Sequence, residues 1–433
     1  MSSDLSQRLA EAIALHQAGR TDEAEEIYRA LLAAHPESPE ALQFLGIARH
    51  QAGASDEAVT LLERAVELAP GYVDAWNNLG NVLAESAQVQ AARAAYETAL
   101  QLEPHRLEAR NNLGVLLRHL GDYAEAEGHL KAALETAPNF AHGWYNLGNV
   151  LQAAGRFDEA LPAYRRAVEL APQFVGAWRY LGVTLYRAGR IAEAAAVYRE
   201  WLAQDPDNAT ARHMLAACTG ADVPARAGDA YICEHFNRFS TSFDEQLERL
   251  SYRVPELLGA VLAEAYTPGE SRLDILDLGC GTGLAGEFLA PYAAHLVGVD
   301  LSPGMLVKAG NLAFYDELIE QEIGALLDAR PGPFDLVCAA DVLVYFGDLG
   351  PVIEGAAYAL RPGGRFVFTL ERFESDEADC VLNVHGRYAH TEDYVRDVLV
   401  EAGFAIERFD AIEPRMELGA PVSGWLVAAR RPA

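Results

Sequence analysis

The apolar positions of the first half of the chain repeat at helical spacing inside a longer period. Pro36, Pro70, Pro104, Pro138, Pro172 and Pro206 recur every 34 residues, and an alanine stands twelve residues before each: Ala24, Ala58, Ala92, Ala126, Ala160 and Ala194. Leu-Gly pairs at Leu45-Gly46, Leu79-Gly80, Leu113-Gly114, Leu147-Gly148 and Leu181-Gly182 keep the same period. Trp76, Trp144 and Trp178 precede three of these pairs by one helical turn, and Tyr28, Tyr96, Tyr164 and Tyr198 supply the bulky position of the following segment. The pattern predicts six pairs of antiparallel helices over residues 5–208. Glycine and alanine let the two helices of a pair approach, aromatic and leucine side chains fill the seam to the next pair, and proline ends the second helix.

After Ala209–Cys218, which continues the helical pattern, TGADVPARAGD reads as a Gly/Pro/Ala linker and divides the chain into residues 1–220 and 221–433. The patterning then changes. Residues 231–262 predict one or two helices carrying Phe236, Phe239 and Phe243 with the polar-tipped Tyr231, His235 and Tyr252. Leu273, Ile275, Leu276 and Leu278 form a short apolar run suited to a buried parallel strand, followed at once by Gly279-Cys280-Gly281-Thr282-Gly283. A second run, His295–Val299, stops at Asp300; a helix over residues 303–311 and a weak strand near residues 318–323 follow. Residues 334–340 read as the fourth strand and 365–370, after the turn Arg361-Pro362-Gly363-Gly364, as the fifth. A helix over 391–402 and strands over 404–410 and 423–429 complete a predicted seven-stranded α/β sheet. The fold class is therefore an α-solenoid followed by a Rossmann-like sheet.

The glycine turn directly after a strand lets a ligand approach the backbone closely. Asp300 ends the next strand, where a carboxylate can accept both ribose hydroxyls of an adenosine. Letters alone leave a dinucleotide register open through Gly281, Gly283 and Gly286. The fuller pattern, GxGxG with Asp277 two residues ahead, resembles motif I and the following acidic loop of class I S-adenosylmethionine (SAM) methyltransferases, and the likeness covers residues 229–433. It implies SAM as cofactor, held by Asp277, Gly279, Cys280, Gly281, Thr282, Gly283, Asp300, Leu301 and Met305. It further places Glu322 near the adenine, puts Asp341 and Tyr345 beside the methyl group, and lays the 231–262 aromatics over the pocket as a lid, unless they are simply core. The 34-residue units resemble tetratricopeptide repeats (TPR), which implies a superhelix with a concave face. Asn77, Asn78, Asn81, Asn111, Asn112, Asn146 and Asn149 line up there one repeat apart. Asparagine is a poor helix former, and such a column offers paired donors and acceptors to an extended peptide. The alternatives are amides bonding to neighbouring helices, and self-association into a homo-oligomer.

Methyl transfer from a sulfonium asks chiefly for positioning, with a base only for some acceptors. Asp341, Tyr345, Glu371, His385, Arg387 and His390 are the candidates on the predicted active edge, Arg387 as a bidentate clamp for an acceptor's carboxylate. The leading expectation is a SAM-dependent methyltransferase whose repeats recruit a protein or peptide. The alternatives are methylation of a small carboxylate or sugar, with the repeats used for oligomerisation, and a non-enzymatic adaptor. Composition trims these options. The chain carries 34 Lys+Arg against 63 Asp+Glu, a formal net charge of −29, with no basic half, which excludes a footprint for nucleic acid or an anionic membrane. The five cysteines show no ligand spacing, so no metal is expected. The absence of a long apolar run and of a signal-like start points to the cytoplasm.

Overall fold

The computed structural model describes residues 3–240, 242–270, 272–329, 332–417 and 419–433, with the side chains of residues 3 and 4 left aside. It divides into two compact units, Met1–Gly189 and Arg190–Ala433. The division falls inside the sixth repeat, ahead of the linker at 219–229.

The first unit is a solenoid of helical pairs, from Ser3–Gln17 with Thr21–Ala34 to Ala141–Ala153 with Phe157–Leu170, closed by Val175–Arg187. The glycine of each Leu-Gly pair marks a close approach. A Cβ on Gly80 would lie 2.5 Å from the Tyr96 ring, and one on Gly148 would lie 2.6 Å from that of Tyr164. The periodic tryptophans do more than fill space. The indole N–H groups of Trp76 and Trp144 donate to the carbonyls of Pro70 and Pro138, both at 2.9 Å, tying each first helix to the proline turn before it. Arg110 Nε does the same to Pro104 at 2.7 Å, so a repeat without tryptophan keeps the tie. The asparagines form a ladder among themselves: Asn112 donates to Asn77 and Asn81, and Asn146 donates to Asn111 one repeat back. Tyr96 and Tyr164 hydroxyls donate to Asn81 and Asn149.

The second unit begins with helices Ile191–Gln204 and Ala209–Thr219, then Asp229–Phe239, Phe243–Arg249 and Val254–Ala265. Its strands are β1 (Leu273–Leu278), β2 (Ala293–Asp300), β3 (Glu317–Glu320), β4 (Phe334–Ala339), β5 (Leu360–Arg372), β6 (Cys380–Leu382), β7 (Tyr388–His390), β8 (Ala405–Ile412), β9 (Met416–Glu417), β10 (Ala420–Pro421) and β11 (Gly424–Arg430). The order β3-β2-β1-β4-β5-β11-β8 gives seven strands, five parallel and then β11 antiparallel between β5 and β8. One apolar cluster fills each face of the sheet.

Three local expectations change. The third strand ends at Glu320, so Ile323 opens the helix Ile323–Ala329 and Glu322 sits beyond the sheet edge. The Arg361–Gly364 segment is not a turn before β5 but part of it, absorbed by a register shift between Phe334 and Leu336 on β4. The stretch 385–390 is only half loop: Tyr388–His390 forms β7, which extends the carboxyl end of β5 through Glu371 and Arg372 and pairs with β6. No described helix is long and apolar enough to cross a membrane.

Candidate active site

Parallel strands β1, β2 and β4 end along one edge, so the residues after them converge by topology. The turn after β1 puts Gly279, Gly281 and Gly283 at φ of +65°, +55° and +90°. Two of them differ in what they face. A Cβ on Gly279 would strike Val342 at 2.4 Å, whereas one on Gly281 meets nothing within 4 Å. The backbone at Gly281 is thus bare on the side of a cavity of about 350 Å³.

Asp300 closes this side. Its carboxylate oxygens accept from the Gly281 N–H at 3.0 Å and the Ser302 N–H at 2.8 Å, leaving a lone pair on each for a ligand hydroxyl. Burial raises its proton affinity against those donors. Asp277, wholly buried at the end of β1, accepts from the Tyr315 hydroxyl at 2.7 Å, and its other oxygen has no protein partner. Burial pushes this carboxyl up to about 7, opposed by the Tyr315 bond.

The far end of the cavity holds a set of charges. Asp341, at φ +56° just past β4, receives both Nη1 hydrogen bonds of Arg415, at 2.9 and 2.7 Å. Arg415 is 4% exposed and spends Nε on Glu417 at 2.7 Å and Nη2 on Glu371. Arg387 donates through Nε to Glu371 at 2.6 Å and through Nη2 to both oxygens of Glu417, at 2.6 and 2.7 Å. Two guanidiniums thus serve three carboxylates, so neither buried cation is left unpaired. Against the cost of burial, Arg387 and Arg415 hold Glu417 down to about 2. Burial raises Asp341 and lifts the Tyr345 phenol to about 12.

The third side is the segment 229–252. Phe236, Phe239 and Phe243 line the cavity, with Phe236 set edge-on to Phe243 and to Tyr345 at ring separations of 6.0 and 5.6 Å. The segment is fastened to the glycine turn by Thr282 Oγ1 donating to Asp244 at 2.6 Å, and to the loop after β2 by Ser302 Oγ donating to Asn237 at 2.6 Å. These aromatics roof the cavity rather than fill the sheet's core.

Eleven expected residues therefore share one space: Asp277, Gly279, Cys280, Gly281, Thr282, Asp300, Leu301, Glu322, Asp341, Tyr345 and Arg387. Gly283 turns toward Ala309 and Tyr315, and Met305 is fully buried. Glu371 stands behind the arginines, with His385 Nε2 3.5 Å from it. Burial depresses His385 to about 3 and His390 to about 4. His390 sits in β7 with Nε2 donating to the Gly347 carbonyl at 3.2 Å, away from the cavity lining. Arg415 and Glu417, which no sequence motif announces, complete the charged end. A lone Arg between Pro414 and Met416 gives no sign that its partners lie 44 and 74 residues upstream.

Residues 9–73, 75–139 and 145–209 match the tetratricopeptide repeat family, and residues 276–366 match the methyltransferase domain family. The chain is 38% identical over 104 residues to a ubiquinone biosynthesis O-methyltransferase of Xylella fastidiosa, a match covering 23% of this chain and 42% of that protein. It is 30% identical over 188 residues to the protein of the same name from Ralstonia nicotianae, covering 36% and 76%. The chain thus spans less than half the length of the first relative. Among solved structures, a thermophilic TPR protein of Thermus thermophilus is 24% identical, with 42% of this chain and 99% of that one covered and a TM-score of 0.37.

Proposed function

Because the chain belongs to the methyltransferase family, with tetratricopeptide repeats ahead of the transferase domain, we propose that it binds SAM on the glycine turn and methylates a small acceptor held under the aromatic roof. The observation that carries this reading is the single cavity joining the bare backbone at Gly281 and the carboxylate of Asp300 to the Phe236–Phe243 chamber. Bound SAM would supply an already activated methyl group. Asp300 accepts the ribose hydroxyls, Asp277 offers its unpartnered oxygen to the polar end of the cofactor, and Glu322 lies toward the adenine. Gly279, Cys280, Thr282 and Leu301 supply the walls, while Gly283 and Met305 support the turn from behind.

For the acceptor, Arg387 is already held by two carboxylates, so a carboxylate clamp would have to displace Glu371 or Glu417. Its Nη1 makes none of these bonds and suits a neutral oxygen. The relatives named for O-methylation favour an oxygen nucleophile. Asp341 receives the acceptor's proton, its basicity raised by burial and restrained by Arg415. Tyr345 and the roof exclude water. Glu371, His385 and His390 act through Arg387 and β7 rather than on the acceptor.

A second reading rests on the asparagine ladder, which continues without a break from Asn77 to Asn146: the repeats recruit a protein or peptide that is itself methylated. Calorimetry with S-adenosylhomocysteine tests cofactor binding, and Asp300→Ala should weaken it roughly 10- to 100-fold, the worth of hydrogen bonds to a charged acceptor. Labelled SAM then separates the acceptors. Label in small molecules supports the first reading, and label in protein that vanishes when the ladder asparagines become alanine supports the second.

A further inference from the structure

The helix Ala209–Thr219, which follows the sixth repeat, is part of the transferase unit and grips two walls of its cavity. His213, 4% exposed, donates from Nε2 to the Gly386 carbonyl at 2.8 Å, one residue before Arg387. The same ring stacks on Tyr231 of the roof helix Asp229–Phe239 at 4.1 Å and 25°. Thr210 Oγ1 donates to Glu234 of that helix at 2.8 Å. Ala216 and Ala217 pack on Leu382 of β6 and Tyr388 of β7, the strands flanking the Arg387 loop. Gly386 is shaped for this contact: it holds φ +91°, and a Cβ there would lie 2.6 Å from the Tyr231 hydroxyl and 3.2 Å from Met214 Sδ.

The linker is fastened as well. The Ala227 N–H donates to the Tyr345 carbonyl at 2.8 Å, and the Gly347 and Asp348 N–H groups donate to the Ala225 carbonyl at 2.8 Å. Tyr388 Oη donates to the Pro224 carbonyl at 2.7 Å. The segment 209–228 therefore braces the loop after β4, the β6–β7 loop and the roof helix at once.

We infer that His213 is a positioning residue for the acceptor end of the site, joining the roof helix to the Arg387 loop so that the helix after the repeats sets the geometry in which an acceptor is held. This rests on the reading of the cavity as a methyl-transfer site, and it assigns the end of the repeat array a role other than capture of a partner. At the cofactor end, Asp300 is held by the Gly281 and Ser302 backbone amides, and neither bond passes through this helix or the roof helix.

Amide hydrogen exchange on the full chain tests the assignment, with S-adenosylhomocysteine as the probe of the cofactor end. In His213→Ala, exchange at the Asn383 and Gly386 amides, whose bonds to the Arg387 and Asn383 carbonyls close the loop, and in residues 229–239 should rise about tenfold, the effect of losing one buried hydrogen bond and its stack. Affinity for S-adenosylhomocysteine should stay within about twofold, since Asp300 is held by the Gly281 and Ser302 backbone amides, which do not depend on the roof helix. His213→Gln, which can keep the donor to Gly386, should restore protection in the loop. Thr210→Ala should loosen residues 229–239 alone. Unchanged exchange in His213→Ala, failure of the glutamine variant to protect the loop, or cofactor affinity falling in step with loop protection overturns the inference. If the alanine variant does not fold, the glutamine and Thr210→Ala variants decide: loop protection kept in both with roof exchange raised in both, the glutamine having lost the Tyr231 stack, supports the inference, and loop protection lost or roof exchange unchanged in the glutamine variant overturns it. Failure of the unmodified chain to bind S-adenosylhomocysteine would sink the transferase reading and leave the exchange result to judge this one.

Discussion

Asp277 is the residue where burial and ligand chemistry conflict most openly. Wholly enclosed and bonded only to the Tyr315 hydroxyl, it takes a proton at about pH 7 in the folded chain, against 3.8 for the unperturbed group. Between those values the folded state binds more protons than the unfolded one, so this carboxyl's contribution to stability falls as pH rises. Asp277→Asn removes the titration. Urea unfolding at about pH 4.5 and about pH 7.5 should show the asparagine variant gaining on the parent by roughly 3 kcal/mol toward the higher pH. A constant difference would mean that Asp277 is ionised throughout. The place of Asp277, Gly281 and Asp300 was legible in the sequence because strand, turn and acid are consecutive and their geometry is local. Arg415 and Glu417 were not, since a buried cation is recognisable only through partners that the fold brings from β4 and β5. His390 lies off the cavity for the same reason: two histidines around an arginine look like an active-edge loop, yet the pairing of β7 with β5 and β6 buries all three residues of Tyr388–His390.

Among elements, the helical pairs of the repeats were the most readable, since a period of 34 residues is repeated often enough to outweigh any local ambiguity. The short strands were the least. β6 and β7 have three residues each, too few for alternation to register, and β3 is half exposed at the sheet edge. The repeats also allow a prediction whose sign depends on where in the pair a glycine stands. Gly148 faces the fully buried Tyr164 ring, and an added Cβ would lie 2.6 Å from it. Gly148→Ala should cost about 1–3 kcal/mol, because neither the ring nor the two helix backbones can yield without disturbing the next seam. Gly128 sits in the second helix of its pair, Tyr123–Thr136, with nothing within 4 Å of where a Cβ would stand. Gly128→Ala should stabilise by about 0.5–1 kcal/mol through helix propensity alone. Thermal melting of the two variants checks both signs, and a loss at Gly128 would mean that its exposed face is covered by something else.

On the scale of the whole molecule, two divisions of the chain compete. Composition and motif place one at 220, where the repeats stop and the linker starts; compactness places the other between Gly189 and Arg190. The difference is the pair Ile191–Gln204 and Ala209–Thr219, repeat-like in sequence, whose second helix packs on the transferase through His213, Thr210, Ala216 and Ala217. Cutting at 220 would uncover Tyr231, Leu382 and Tyr388, which are now 4%, 6% and 0% exposed. A large apolar side chain fully returned to water costs about 1.5–3 kcal/mol, and these are uncovered only in part, since Tyr388 keeps its contact with Gly347 and its bond to Pro224, so the three together cost roughly 3 kcal/mol, a large share of an ordinary domain's stability. Residues 190–433 alone should therefore melt cooperatively and bind S-adenosylhomocysteine as the full chain does. Residues 221–433 alone should melt roughly 6–12 °C lower, by the usual relation between free energy and melting temperature for a unit of this size. Differential scanning calorimetry on the two fragments decides between the divisions. Equal melting temperatures would show that the transferase is complete at its linker and that the preceding helices belong to the repeats in energy as well as in pattern.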